Sequence, residues 1–123
     1  MNVQIGKHVV GDEHGCFVSL EPSATYRNFD EAKSMIDAVS NSGAHAIKFQ
    51  TFLPGDVERI IEDRGIKVKF GTTKGEKQES VFDALKRREL EKKEWEDLVN
   101  YSKEKNLGFI TAPYFIETVD FLS

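Results

Sequence analysis

The sequence predicts an α/β chain built from parallel strands joined by helices. Two observations carry that expectation. Short apolar runs alternate with amphipathic helical patterns along the chain. Between Asn28 and Gln50 a helical pattern, a glycine and a strand pattern follow one another without a gap. That order belongs to strands that run parallel and need a crossover helix to connect them.

The elements follow in order. Residues 1–15 read as a short β element and loop: Val3, Ile5, Val9 and Val10 flank Gly6, and Gly11 to Gly15 is dense in turn formers. The run Cys16-Phe17-Val18-Ser19-Leu20-Glu21 is apolar and stopped by Pro22, as expected of a buried strand. Asn28 and Glu31 have capping-box spacing, and Ala32, Met35, Ile36 and Val39 then repeat at helical intervals. Gly43 stands where a helix ends in a left-handed residue, and 44–49 read as the second strand.

Residues 51–79 form a long polar stretch with four glycines, expected to be a loop or surface excursion. Ser80 to Arg88 reads as a short helix with Phe82 and Leu85 inward. A firmer helix covers about 91–105, with Trp95, Leu98, Val99 and Ser102 on one face, acids at its start and lysines at its end. Asn106 is its left-handed stop, 107–111 is a third strand, and 117–122 begin another helix. A complete (β/α)8 barrel takes about 250 residues. The fold expected here is therefore the N-terminal portion of a TIM barrel, about three β/α units over 16–123, preceded by a hairpin over 1–15.

Composition narrows the function. With 123 residues, 39% hydrophobic and 31% charged, the chain has the make-up of one ordinary globular domain. A net charge of −4 gives it no attraction for a nucleic-acid backbone or an anionic membrane. No run approaches the length of a membrane helix, and the start lacks the apolar stretch of a secretory signal, so a cytoplasmic protein is expected. The single cysteine, Cys16, reads as core packing. His8, His14 and His45 form no metal-binding spacing, and GTTKG (71–75) reads as a flexible turn rather than a phosphate loop.

Polar side chains at the end of a buried strand are the informative ones. In the second strand Ile47 and Phe49 would meet the helices, leaving Lys48 and Gln50 to face a barrel mouth, where such folds keep their active sites. On the first strand Val18 and Leu20 would face helices and Glu21 the mouth. Lys48 and Glu21 would then hold an ionic ligand, or reach water and pair with each other.

Three stretches carry a resemblance to a known family. GAHAIKFQTF resembles the helix end and Lys-Phe-Gln-Thr strand of the sialic acid synthases, the N-acetylneuraminate synthase family. ELEKKEWEDLVNYSKEKNLGFITAPYFIETVDFL resembles that family's next helix and its strand ending in Ser-Thr-Pro-Phe. IGKHVVGDEHGCFV is similar to its opening hairpin.

The resemblance implies a barrel enzyme that condenses phosphoenolpyruvate with an N-acetylated amino sugar, in nonulosonic acid or surface polysaccharide biosynthesis. It implies Mn²⁺ or another divalent metal whose ligands lie outside this chain, and a homodimer. It places Lys48 at the phosphoenolpyruvate, Gln50 in the same pocket, Glu21 near the sugar or the attacking water, and Thr111 among the substrate contacts.

Departures accompany the likeness. EPSATYRN stands where the family has an Asn-His-Asn-Gly turn. Ala112 and Phe115 replace a threonine and an aspartate. Those changes imply a branch acting on another sugar or, alternatively, a non-catalytic barrel-derived sugar-binding or structural module.

Overall fold

The computed structural model describes residues 1–23, 25–72 and 75–123, with nothing taken from the side chains of 70–72. Strand β1 (Val3–Ile5) pairs antiparallel with β2 (His8–Val10), with Gly6 at φ +57° in the turn. Strand β3 (Ser19–Ser23), helix α1 (Phe29–Asn41) and strand β4 (Ala46–Gln50) make the first parallel unit. Helix α2 (Asp56–Ile60), strands β5 (Lys67–Thr72) and β6 (Gly75–Ser80) and helix α3 (Val81–Lys86) follow. Helix α4 (Lys92–Glu104), strand β7 (Gly108–Ala112) and helix α5 (Ile116–Leu122) close the order. The central sheet is parallel, in the order β3-β4-β7.

Helix α1 forms for the reasons its sequence gives. The Asn28 side chain accepts from the Glu31 amide at 2.9 Å, a cap worth about 1 kcal/mol. The reciprocal half of the box is absent: the Glu31 carboxylate takes the Arg27 amide and guanidinium instead. Ala32, Ile36 and Val39 are buried, and Met35 packs against them. Gly43 at φ +79° ends the segment, as Asn106 at φ +61° does after α4. In α4 the Glu91–Glu94 capping box is complete, and Trp95, Leu98 and Ser102 are buried.

The core lies between the sheet and helices α1 and α4. Phe49 is fully buried, with the rings of Tyr26, Trp95 and Phe109 around it at centroid distances of 5.7–6.1 Å. The Trp95 indole donates to the Phe52 carbonyl, which also accepts from the Leu90 amide. That double acceptance fixes the course of the chain as it leaves β4.

Three expectations need correcting. The first parallel strand begins at Ser19 rather than Cys16 and continues through Pro22. As an outer strand of the described sheet it tolerates a residue with no amide hydrogen, and its pairing with β4 shifts register between Leu20 and Ser23. Cys16 is exposed, not packed in the core. The polar stretch over 51–79 is ordered: it holds α2 and an antiparallel ribbon running from Lys67↔Ser80 to Thr72↔Gly75. Of the turn expected over 71–75, Thr73 and Lys74 lie outside the described residues.

A bidentate pair ties the ribbon to α3: Arg87 donates to both Glu79 oxygens, at 2.7 and 2.6 Å. The Arg87 guanidinium holds the Glu79 carboxyl below the usual carboxylate range. A depressed carboxylate contributes stability above its unfolded pKa of about 4.3 and loses it as pH falls through the lower folded value. The protection factors of the β5–β6 amides, the intrinsic exchange rate over the observed one at each pH, are expected to stay constant from pH 8 to about pH 5 and to fall below pH 4. Glu79→Gln should exchange faster already at pH 7; equal protection in that variant would show that the pair does not hold the ribbon.

Candidate functional site

The parallel register sorts the side chains of the sheet into two faces. Ile47 aligns with Phe109 and Phe49 with Thr111, and these point toward the helices. Ala46, Lys48 and Gln50 align with Gly108, Ile110 and Ala112 on the opposite face. Leu20 aligns with Ile47, so Glu21 falls on the Lys48 side by alternation. Glu21 and Lys48 at mid-strand and Gln50 at the end of β4 thus share the face opposite the one that Ile47 and Phe49 turn to the core.

Lys48 donates to Glu21 Oε2 at 3.0 Å. Both side chains are partly open, at 37% and 40% exposure, which is too wet for a costly buried pair. Beside them the Gln50 carbonyl accepts from the Tyr114 hydroxyl at 3.1 Å, and the Tyr114 ring stacks on Phe52 at 4.8 Å. The chain turns away from β3 at Ser23, whose φ of +54° lies in the left-handed region that side-chain-bearing residues seldom occupy. Sequence reasoning singles out Lys48, Gln50 and Glu21, which the fold brings together; it does not single out Tyr114. The signal for Tyr114 is its place just past the end of β7, beyond Pro113.

Thr111 is placed apart from these three. It aligns with Phe49 on the helix-facing side, and its hydroxyl lies 2.7 Å from that of the fully buried Thr51. The Thr51 amide donates to the Ala112 carbonyl, so two bonds join the ends of β4 and β7. Of the two altered positions, Ala112 follows Thr111 at the end of β7, and Phe115 lies under the Arg59 guanidinium, 3.6 Å from its ring centroid.

The histidines do other work. His45 precedes β4 and accepts the Val18 amide at Nδ1, 2.9 Å away. It stacks on Phe17 and meets His8 edge-on, so the N-terminal hairpin leans on the opposite end of the sheet from Lys48. Among the described residues no three His, Cys, Asp or Glu side chains form a group able to hold a metal ion. No helix among them is long and apolar enough to cross a membrane.

The geometry defines an α/β protein with polar groups presented at the C-terminal ends of parallel strands, the arrangement in which α/β folds bind ligands. Residues 35–123 match the NeuB family, and the chain belongs to it. It is 28% identical over 92 residues to an N,N'-diacetyllegionaminic acid synthase of Campylobacter jejuni, a match covering 75% of this chain and 27% of that protein.

Two solved structures share the fold. An N-acetylneuraminic acid (sialic acid) synthetase of Leptospira borgpetersenii superposes with a TM-score of 0.76 at 24% identity, over 99% of this chain and 37% of that one. The spore coat polysaccharide biosynthesis protein spsE of Bacillus subtilis gives 0.66 at 24% identity, over 99% and 30%. The chain therefore spans about a third or less of the length of these relatives.

The two threonines give a direct test of how the strand ends are joined. Thr51→Val leaves the Thr111 hydroxyl without its partner and should cost about 1–3 kcal/mol in denaturant unfolding. The double variant with Thr111→Val should recover part of that loss. Strictly additive costs would show that the hydroxyls do not act as a pair.

Proposed function

We propose that this chain is the N-terminal part of a (β/α)8 barrel synthase that condenses phosphoenolpyruvate with an N-acetylated amino sugar. The single observation that carries this reading is Lys48. It is a cation midway along the central parallel strand, on the face opposite Ile47 and Phe49, and among the described residues its one ion pair is the open one with Glu21. Family membership and the names of the relatives support the same class of chemistry.

In this reading the enol carbon of phosphoenolpyruvate forms a bond to the aldehyde carbon of the open-chain sugar, whose oxygen takes a proton. Water adds at C2 and gives up its protons, and phosphate leaves with the electron pair of the C2–O bond, so that C2 becomes the ketone carbon of the product. Lys48 gives up Glu21 to hold the carboxylate or phosphate of phosphoenolpyruvate, a point cation suited to either. Gln50, oriented by Tyr114, offers an amide at the same pocket. Glu21, once released, is the acceptor nearest the sugar hydroxyls or the incoming water.

Thr111 bears on substrate only through the strand end that it shares with Thr51. Among the described residues no group of three His, Cys, Asp or Glu side chains could hold a metal ion, and no step is assigned to one. The Mn²⁺ or other divalent ion of the proposed whole enzyme would be held by other segments. We extend the proposal to a homodimer and a cytoplasmic location.

A second reading, a non-catalytic module, rests on a specific feature of the sequence: Ala112 and Phe115 stand where the resemblance has a threonine and an aspartate. One experiment separates the two. In the natural full-length protein, Lys48→Ala is expected to lower phosphate release from phosphoenolpyruvate in the presence of N-acetylated amino sugars by about 100-fold or more, with unchanged thermal unfolding. Turnover at the unsubstituted rate would remove Lys48 from the mechanism. Calorimetric heat with a sugar and none with phosphoenolpyruvate would select the second reading.

A further inference from the structure

Away from the strand-end site, the ribbon β5–β6, helix α3 and the segment after β3 enclose a cleft of about 560 Å³. None of Glu21, Lys48 and Gln50 lines it. That volume suits a small organic ligand. Its walls include the apolar side chains of Val68 and Leu85, and its charged groups are three arginines, one lysine and one glutamate. The chain as a whole carries −4, so this cleft gathers positive charge against the overall balance.

The cations are not equally satisfied. Arg27 is paired with Glu31, and Arg87 with Glu79. Arg88 and Lys77 enter no ion pair among the described residues. The Arg88 guanidinium donates a long bond from Nε to the Tyr26 carbonyl, at 3.4 Å. Burial works against its charge and holds its pKa below the ordinary arginine value. The Arg87 Nε hydrogen is likewise buried with no acceptor among the described residues. A partly desolvated guanidinium beside an unmatched N–H is a group that an anion stabilises strongly, and the planar fork favours phosphate or carboxylate.

From this juxtaposition we infer that the cleft between the β5–β6 ribbon and helix α3 is a second binding site, for a small amphiphilic anion. Its phosphate or carboxylate head would sit on Arg88 with Lys77 alongside, and its apolar body against Val68 and Leu85. The site is separate from the strand-end pocket and does not depend on the reaction proposed there.

Phenyl phosphate carries both features, inorganic phosphate only the charge, and benzyl alcohol only the ring; the three probes can be titrated into the natural full-length protein by calorimetry. Phenyl phosphate is expected to bind tightest. Arg88→Gln and Lys77→Glu should each weaken it at least about tenfold, the loss expected for one charge-assisted contact. Lys77 is exposed and unpaired among the described residues, so K77E keeps the test valid if R88Q unfolds. Lys48→Ala should leave the affinity unchanged, which separates this site from the strand-end one. Unaltered binding in K77E and in folded R88Q, or binding lost in K48A, overturns the inference. Benzyl alcohol binding as tightly as phenyl phosphate would also overturn it, since the cations would then contribute nothing.

Discussion

The burial of Phe49 sets the arrangement of the strand-end site. Its ring is enclosed edge-on by Tyr26 and Trp95 and packs against Phe109, which commits one face of β4 to the helices. A strand alternates its side chains with a period of two, so the same commitment turns Lys48 and Gln50 to the other face. A slip of one residue would bury the ammonium among aromatic rings, at a cost far above that of any surface contact. The core therefore specifies the site before any ligand does. The Tyr26 hydroxyl, donated to the Arg88 carbonyl at 2.9 Å, extends that control to the end of α3, where burial also pushes the phenol pKa up.

The excursion between β4 and α4 is held by charge where it has little core of its own. Helix α2 has no capping side chain at Gly55, which sits at φ +94°. Glu89 supplies the cap from a distance, accepting from the Gly55 and Val57 amides at 3.2 and 2.9 Å. Lys86 bridges Glu89 and Glu58, which holds the Glu58 carboxyl low and its own ammonium high. With only 6% of the Glu89 side chain exposed, this carboxylate costs least when both amides and the lysine engage it. The small cluster of Phe52, Val57 and Phe82 is tied to this ionic group through the Val57 amide, which donates to Glu89.

Much of this was legible in the sequence because the relevant signals are local. The Asn28 cap, the Gly43 and Asn106 stops, and the stripes of α1 and α4 each depend on residues within a few positions. The alternation Ile47-Lys48-Phe49-Gln50 carried the two faces of β4 in the same way. What escaped depends on partners far along the chain. The β6 half of the ribbon, Gly75–Ser80, is polar throughout, and the brief alternation Ile66-Lys67-Val68-Lys69-Phe70 in β5 is lost inside a glycine-rich polar stretch, so the ribbon gives little strand signal. Cys16 and Val18 read as buried because they are apolar, yet they precede an outer strand and lie exposed. The choice of Thr51 as the partner of Thr111 comes from the β4–β7 register, which no window of sequence contains.

The Glu21–Lys48 pair is the point where stability and chemistry meet. An ion pair as open as this one contributes about 0–1 kcal/mol, so parting it costs the fold little. In the proposed synthase, a multiply charged anion offered to the same ammonium gains more than so open a pair loses. In that proposal Glu21 is left a free carboxylate within a side chain's length of the anion on Lys48. The pair holds the two side chains oriented toward each other across adjacent strands. A buried version of the same pair would be harder to open, and a pair made more distant would leave neither group positioned.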